Sequence, residues 1–292
     1  MIQNFKAHFY LYLYSYLRLI NRIRMFVARQ LSRHDASVSD SQKTNYEVTV
    51  EKILQSEFGF INFRRNFSYC EIVENVSYRQ GFSYIERIKI LDCGKLNFKV
   101  INQNDIIGNP VQFNYPEFGR VSPTTLRYVS VALEIQQIFG EELSGDFVEI
   151  GGGYGGQIAI LKDLFRINNY GIYDLPNVQK LINRYLKSLR KNIDVQFLNL
   201  ENTVNKKWDL VISNYAFSEL PKNLQKAYIF KVLTKSSRGY LIMNSGRENF
   251  TGRSDGKLSL VELQKLLPGF EILEETPKTG PDNYVIIWGH KN

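Results

Sequence analysis

Residues 147–157 read FVEIGGGYGGQ, and this stretch decides the fold. The run 147–150 predicts a short buried strand, and the residues after the glycines predict a helix over 156–165. Glycine accepts backbone conformations that other residues avoid, and it lets a ligand approach the main chain closely. A strand, a glycine-rich turn and a helix in this order therefore predict a ligand-binding turn in an α/β fold.

Strand and helix signals alternate around this turn. Ser122 is a favourable N-cap and Pro123 suits the first helical position, so we predict a helix that runs to about residue 139. Further strands are predicted at 170–173, 195–198, 209–213 and 239–243, and further helices at 178–189, 224–233 and 260–267. Strands separated by helices of this length predict a Rossmann-like, doubly wound and mostly parallel sheet.

The end of the chain departs from this alternation. Two last strands are predicted at 270–273 and 284–288, and the segment 277–282 joins them without a helix. Strands connected in this way form an antiparallel hairpin. The predicted fold class is therefore α/β, with a C-terminal antiparallel hairpin on the sheet.

The sequence divides into three predicted parts. Residues 1–45 form a basic arm and linker, with a predicted amphipathic helix at 6–33 and a polar linker at 34–45. Residues 46–121 carry no chemical motif and are expected to cap the substrate side of the domain formed by residues 122–292. The arm could lie on an anionic membrane surface, or it could pack on the body of the protein or on a dimer partner.

Composition restricts the class of protein. The net charge is +8, and most of it lies in the arm, which contains seven Lys or Arg residues and two Asp residues. This distribution argues against nucleic-acid binding by the body of the chain. Cys70 and Cys93 have no partner at metal-ligand spacing, so we expect neither a zinc site nor a disulfide framework. We expect a cytoplasmic protein, with peripheral contact to the inner membrane face left open.

Two acidic residues accompany the glycine turn. Glu149 lies two residues before the first glycine, and Asp174 ends the second predicted strand. A carboxylate beside the turn repels a pyrophosphate but attracts a cofactor that carries an ammonium and a sulfonium, as S-adenosylmethionine does. Asp174 is placed to accept hydrogen bonds from ribose hydroxyls. A glycine-rich turn with two exposed carboxylates and a nicotinamide-binding site are the alternatives.

Two further positions at strand ends are candidates for cofactor contact. Asn199 follows the third strand and could bind the adenine edge, or it could be a simple turn residue. Ser213 ends the fourth strand, where the sulfonium should pass, and its alternative is an exposed loop serine. The predicted cofactor-binding set is Glu149, Gly151, Gly153, Gly155, Asp174, Asn199 and Ser213.

Several motifs together resemble those of a family of bacterial sugar O-methyltransferases from polysaccharide biosynthesis. They are GNP at 108–110, SPTTLRY at 122–128, FVEIGGGYGGQ at 147–157, YDLP at 173–176, SNYAFSEL at 213–220, RGY at 238–240 and IWGH at 287–290. The resemblance covers roughly residue 105 to the C-terminus. It implies S-adenosylmethionine as methyl donor, a sugar hydroxyl as acceptor, and the sheet with a terminal hairpin that distinguishes methyltransferases from dinucleotide-binding enzymes.

A sugar hydroxyl needs a base, and two residues are candidates. Glu219 lies one turn after Tyr215 if a helix begins at Asn214, and both side chains could then face the acceptor. The alternative for Glu219 is a surface pair with Lys222. His290 closes the last strand near the predicted active-site edge and has a suitable pKa, although a histidine so near the terminus could equally be exposed to solvent.

The acceptor itself could be neutral or acidic. Arg127 and Arg247 could bind its hydroxyls or an acidic sugar group, and structural or surface ion pairs are the alternatives. The expected partner is a sugar, nucleotide-sugar or glycan. We predict no metal ligands, because no acidic cluster has an obvious divalent-metal arrangement, although Asp and Glu from different loops could still assemble one. A nucleic-acid methyltransferase is a competing hypothesis, although residues 213–216 read SNYA where base N-methylation favours Asn/Asp-Pro-Pro-aromatic. A non-catalytic binding protein of the same fold is the third hypothesis.

Overall fold

The computed structural model describes residues 38–92, 98–189, 193–202, 206–247, 256–281 and 283–290. The helix predicted at 6–33 lies outside the described residues. The first described helices are α1 (Val38–Leu54), α2 (Glu57–Ile61), α3 (Phe67–Cys70), α4 (Tyr78–Leu91) and α5 (Phe98–Gln103), with a 3-10 turn at Phe63–Arg65. A small antiparallel hairpin follows, with strands β1 (Phe113–Tyr115) and β2 (Gly119–Val121).

The linker predicted at 34–45 is wrong from residue 38 onward, because α1 begins at Val38. The apolar positions of this helix begin later, and Val50 and Ile53 are buried in the core. A polar run at the start of a helix resembles a linker in sequence, because it lacks the apolar residues at three- and four-residue spacing that indicate a helix.

A seven-stranded sheet forms the centre of the molecule. Its strands are β3 (Ser144–Ile150), β4 (Arg166–Tyr173), β5 (Gln196–Leu198), β6 (Leu210–Asn214), β7 (Gly239–Met243), β8 (Glu271–Glu274) and β9 (Tyr284–Trp288). The order is β5-β4-β3-β6-β7-β9-β8. The pairs from β5 to β7 are parallel, and β9 is antiparallel to both β7 and β8. The predicted fold class, including the terminal hairpin, is confirmed.

Helices cover both faces of this sheet. They are α6 (Pro123–Phe139), α7 (Gly156–Leu164), α8 (Pro176–Ser188), α9 (Ala216–Glu219), α10 (Lys222–Lys231) and α11 (Leu260–Leu266). Side chains of β6 alternate between two core clusters, with Leu210 and Ile212 in one and Val211 in the other. A parallel strand buried on both faces produces such a continuous apolar run, which is why its sequence predicted a strand.

Helix α6 anchors the region before it to the sheet domain. Residues 123–135 are all buried, and the predicted N-cap is confirmed because Ser122 Oγ accepts a hydrogen bond of 3.2 Å from the Thr125 amide. The fully buried Arg64 donates to Ser122 Oγ at 3.0 Å and forms a 3.0 Å salt bridge with Asp105. Since Arg64 belongs to the region 46–121, this network holds that region against the start of α6.

Candidate functional site

The glycine turn joins β3 to α7 at the carboxyl edge of the sheet. Gly151, Gly153 and Gly155 have φ values of 83°, 58° and 93°, which favour glycine. A Cβ on Gly151 would lie 2.1 Å from the Cβ of Ala216 in α9. At Gly153 the nearest atom to an added Cβ is Val73 Cγ1, at 3.6 Å. The turn therefore packs tightly at its first glycine and leaves its main chain more open at Gly153.

Asp174 lies directly against this turn. Its Oδ2 accepts a hydrogen bond of 2.8 Å from the Gly152 amide, and its Oδ1 accepts one of 2.8 Å from the Leu175 amide. Burial raises the pKa of Asp174 to about 7, although these amide hydrogen bonds oppose the shift. The predicted position at the end of the second long strand is correct, and the carboxyl group faces the glycine turn.

Glu149 lies deeper, within β3. It is 1% exposed, and its Oε2 accepts a hydrogen bond of 2.9 Å from the Tyr170 hydroxyl. Burial raises the pKa of Glu149 to about 8, and the charge of Asp174 adds to the shift. The alternative of a turn with two exposed carboxylates is wrong for Glu149. Buried acids with a raised pKa beside a turn that a ligand can approach make this edge a candidate functional site.

Two predicted cofactor contacts have other roles. Ser213 ends β6 but is fully buried, and its hydroxyl donates to the Ile150 carbonyl at 2.8 Å and accepts from the Phe217 amide at 3.0 Å. The exposed loop serine is therefore wrong for Ser213, and its contact with a sulfonium stays a prediction. Asn199 is exposed, and its Oδ1 accepts a hydrogen bond of 2.9 Å from the Glu201 amide, as in a turn.

The half-buried Tyr215 and the buried Glu275 form a pair at the same edge. Tyr215 has a φ of 69°, which is strained for a bulky residue. Its hydroxyl contacts Thr279 Oγ1 at 3.0 Å and donates a short hydrogen bond to Glu275. Glu275 is 6% exposed and also accepts hydrogen bonds of 2.7 Å from the Thr279 amide and 3.0 Å from Asn283 Nδ2.

Sequence reasoning missed Glu275. The residue directly follows β8, and β8 is parallel to β7 because both are antiparallel to β9. An acid after β8 therefore lies at the carboxyl edge of the sheet. The strand directions of the predicted hairpin were sufficient to predict this position for Glu275.

Glu219 is exposed at the end of α9. Its Oε1 accepts a hydrogen bond of 2.8 Å from Asn244 Nδ2, whereas Lys222 forms its salt bridge with Glu262 at 2.5 Å. The alternative pairing of Glu219 with Lys222 is wrong. The helix begins at Ala216 rather than Asn214, so Tyr215 precedes it and the two side chains contact different elements.

His290 lies at the opposite edge of the sheet from the glycine turn. Strand β9 runs antiparallel to β7, so Trp288 pairs with Gly239 at the start of β7. The His290 Nε2 atom lies 3.2 Å from Oε1 of Glu271, the first residue of β8. The predicted catalytic role of His290 is wrong, because the direction of the last strand carries it away from the carboxyl ends.

The two arginines predicted to bind the acceptor differ in their surroundings. Arg247 forms a 2.7 Å salt bridge with Glu274, and its guanidinium lies 4.8 Å from the centre of the Tyr284 ring, as the ion-pair alternative expects. Arg127 is 8% exposed, and its guanidinium lies 6.0 Å from the centre of the Tyr215 ring. Of the two, Arg127 is brought next to the residues at the carboxyl edge.

Searches for metal ligands and membrane spans were negative within the described ranges. No group of three or more His, Cys, Asp or Glu side chains there is placed to hold a metal ion. None of the helices described there is long and apolar enough to cross a membrane.

Comparison with known proteins gives matches at the level of structure. No protein-family profile and no curated protein matches the sequence. A complex of DhpI with SAH is 17% identical, with a TM-score of 0.40 over 58% of this chain and 88% of that chain. The mitomycin 7-O-methyltransferase MmcR is 14% identical, with a TM-score of 0.42 over 72% of this chain and 67% of that chain. The PH0226 protein from Pyrococcus horikoshii OT3 is 13% identical, with a TM-score of 0.44 over 56% of this chain and 90% of that chain.

Proposed function

We propose that this protein is an S-adenosylmethionine-dependent O-methyltransferase that acts on a sugar hydroxyl. The observation that carries the proposal is the placement of Glu149 and Asp174 beside the glycine turn. Burial raises the pKa of both carboxyl groups, and a cationic ligand bound beside them would stabilise their ionised forms. A pyrophosphate would instead bring negative charge towards two acids, which disfavours a nicotinamide dinucleotide.

The residues of the turn fit such a cofactor. The Asp174 carboxyl group has more acceptor sites than the Gly152 and Leu175 amides occupy, so it can also accept hydrogen bonds from ribose hydroxyls. The open main chain at Gly153 lets the amino-acid portion approach, and Glu149 Oε2 lies 4.0 Å from the place of a Cβ on Gly152. When bound, S-adenosylmethionine supplies the electrophilic methyl group of its sulfonium.

The residues at the edge support a hydroxyl acceptor. A sugar hydroxyl attacks efficiently only when its proton is removed. We assign this task to Tyr215 with Glu275: the acceptor proton passes to the Tyr215 oxygen as the Tyr215 proton passes to the Glu275 carboxylate. Glu219 is the second candidate, because it lies at the end of α9, but its carboxylate is exposed to water.

Calorimetry with S-adenosylhomocysteine and with NADH tests the cofactor assignment. The proposal expects binding of S-adenosylhomocysteine and none of NADH. A second assay follows transfer of a labelled methyl group to neutral sugars, uronic acids, nucleotide-sugars and RNA. Binding of NADH alone contradicts the cofactor, and transfer to RNA alone contradicts the sugar acceptor.

A further inference from the structure

Arg127 is a buried cation without a counter-ion. It is 8% exposed, and its guanidinium donates one hydrogen bond of 3.1 Å to the Val73 carbonyl and one of 3.3 Å to Asn75 Oδ1. Its buried Nε has no hydrogen-bond partner. An arginine has five N–H donors, so most of the donor capacity of Arg127 is unused. Burial of a guanidinium in this state is costly unless a ligand completes its surroundings.

The acids near Arg127 are engaged elsewhere. Glu74 forms a 2.5 Å salt bridge with Arg64, and Glu275 accepts the hydrogen bond of Tyr215. Arg127 takes part in none of the salt bridges found among the described residues. The fold thus supplies polar contacts to this guanidinium but, among the described residues, no carboxylate at salt-bridge distance.

Other arginines of this region show the contrast. Arg64 is fully buried and has two carboxylate partners, Glu74 at 2.5 Å and Asp105 at 3.0 Å. Arg87 on α4 forms a 3.0 Å salt bridge with Glu134 on α6. Arg64 and Arg87 are therefore each paired with carboxylates of the protein, whereas Arg127 has no carboxylate partner in the described part of the chain.

Arg127 lies between the glycine turn and the Tyr215–Glu275 pair. The Val73 residue that accepts its hydrogen bond also approaches Gly153, with Cγ1 3.6 Å from the place of a Cβ. The Arg127 Cζ atom is also 5.5 Å from the centre of the Tyr128 ring, whose hydroxyl lies 3.8 Å from the same place at Gly153. On the other side, the Cζ atom is 6.0 Å from the centre of the Tyr215 ring. These rings and the hydrogen bonds to Val73 and Asn75 hold the guanidinium in one place.

We propose that Arg127 binds a carboxylate of a ligand at this junction. The planar guanidinium matches a carboxylate, and a charge-assisted hydrogen bond from Nε would satisfy the unpartnered donor. The inference rests on the proposed function, which offers two sources of this group. One is the amino-acid carboxylate of the cofactor, and the other is an acidic sugar as acceptor.

Binding measurements with Arg127→Gln distinguish the two sources. If the cofactor supplies the carboxylate, affinity for S-adenosylhomocysteine falls about tenfold to a hundredfold, as for one charge-assisted hydrogen bond. Affinity for 5′-methylthioadenosine, which lacks the amino-acid portion, is then unchanged. If the acceptor supplies it, both affinities are unchanged, and KM rises for uronic acids but not for the matched neutral sugars. No change in any of these values overturns the proposal.

A matched control and a cofactor-free measurement complete the test. Arg87→Gln removes a half-buried arginine that has its own carboxylate, and we expect both cofactor affinities to stay unchanged. In the parent protein, sodium acetate should raise the melting temperature above that in sodium chloride at equal ionic strength, and Arg127→Gln should remove the difference. No effect of acetate on the parent protein contradicts the proposal even if the variant fails to fold. An acetate effect without any binding of S-adenosylhomocysteine retains the anion site and overturns the proposed function instead.

Discussion

The Gly152 amide donates a hydrogen bond of 2.8 Å to Oδ2 of Asp174, so one carboxyl group holds the glycine turn to the end of β4. The same side chain accepts a hydrogen bond from the Leu175 amide at the entry to α8. Asp174 therefore has a structural role in addition to the proposed contact with ribose hydroxyls.

Asp174→Ala is expected to weaken binding of S-adenosylhomocysteine by about 1–3 kcal/mol, because charge-assisted hydrogen bonds to ribose are lost. Asp174→Asn keeps one side-chain oxygen that can accept from the Gly152 amide, but it removes the negative charge. The variant therefore distinguishes the effect of the charge on cofactor binding from the effect of the hydrogen bond that holds the turn. We expect the Asn variant to melt closer to the parent protein than the Ala variant, yet to bind less tightly than the parent. Calorimetry that gives equal affinities for all three proteins would exclude Asp174 from the cofactor site.

Stability of the ligand-free protein should fall as the pH rises towards 8. The pKa of Glu149 is raised from 4.5 to about 8 in the folded state, so the folded protein holds a proton that the unfolded chain has released. Stability then decreases between these two pH values, by up to about 1.4 kcal/mol per pH unit for one group. Asp174, whose pKa is raised to about 7, contributes in the same direction at lower pH.

Glu149→Gln should flatten this decrease, because glutamine does not titrate and can still accept from Tyr170. Urea denaturation at several pH values between about 5 and about 8 measures the slope. An equally steep decrease in the variant would mean that Glu149 is already ionised in the folded protein.

The central sheet and the long helices around it were predictable because each of these elements has a local signal. Apolar runs of strand length, the Ser122-Pro123 cap and the glycine turn all act within a few residues, and burial in the core enforces them. The predicted antiparallel hairpin also implies the direction of β9. This direction places His290 at the edge of the sheet away from the site. The pairing of Tyr215 with Glu275 depends instead on residues 60 positions apart that meet only when the sheet has assembled.

Ser213→Ala should destabilise the protein without changing cofactor affinity. Its buried hydroxyl satisfies the Ile150 carbonyl and the Phe217 amide, and loss of such partners costs about 1–3 kcal/mol. Thr234→Ala is the control, because this exposed hydroxyl donates to the Phe230 carbonyl at a helix end, and we expect a change within about 0.5 kcal/mol. Urea denaturation measures both variants. A large loss of affinity in stable Ser213→Ala would restore Ser213 as a cofactor contact.

The acids at the carboxyl edge can be ranked by turnover. Loss of a general base costs about 10²–10⁴-fold in rate and leaves cofactor affinity nearly unchanged. We expect losses in this range for Glu275→Gln and for Tyr215→Phe, because each removes one member of the proposed proton relay. Glu219→Gln should cost less, since its exposed carboxylate contacts Asn244 rather than the relay.

His290→Gln is the matched control, because this side chain lies at the opposite edge beside Glu271. Its turnover should stay within a few-fold of the parent value. The pH profile of kcat distinguishes a catalytic role from a structural one. Loss of the general base should remove the limb on which kcat rises with pH, whereas a loosened loop would raise KM and leave the profile unchanged. If Glu275→Gln and Tyr215→Phe keep parental turnover while Glu219→Gln loses it, the base is Glu219. The Tyr215–Glu275 pair then has a structural role only.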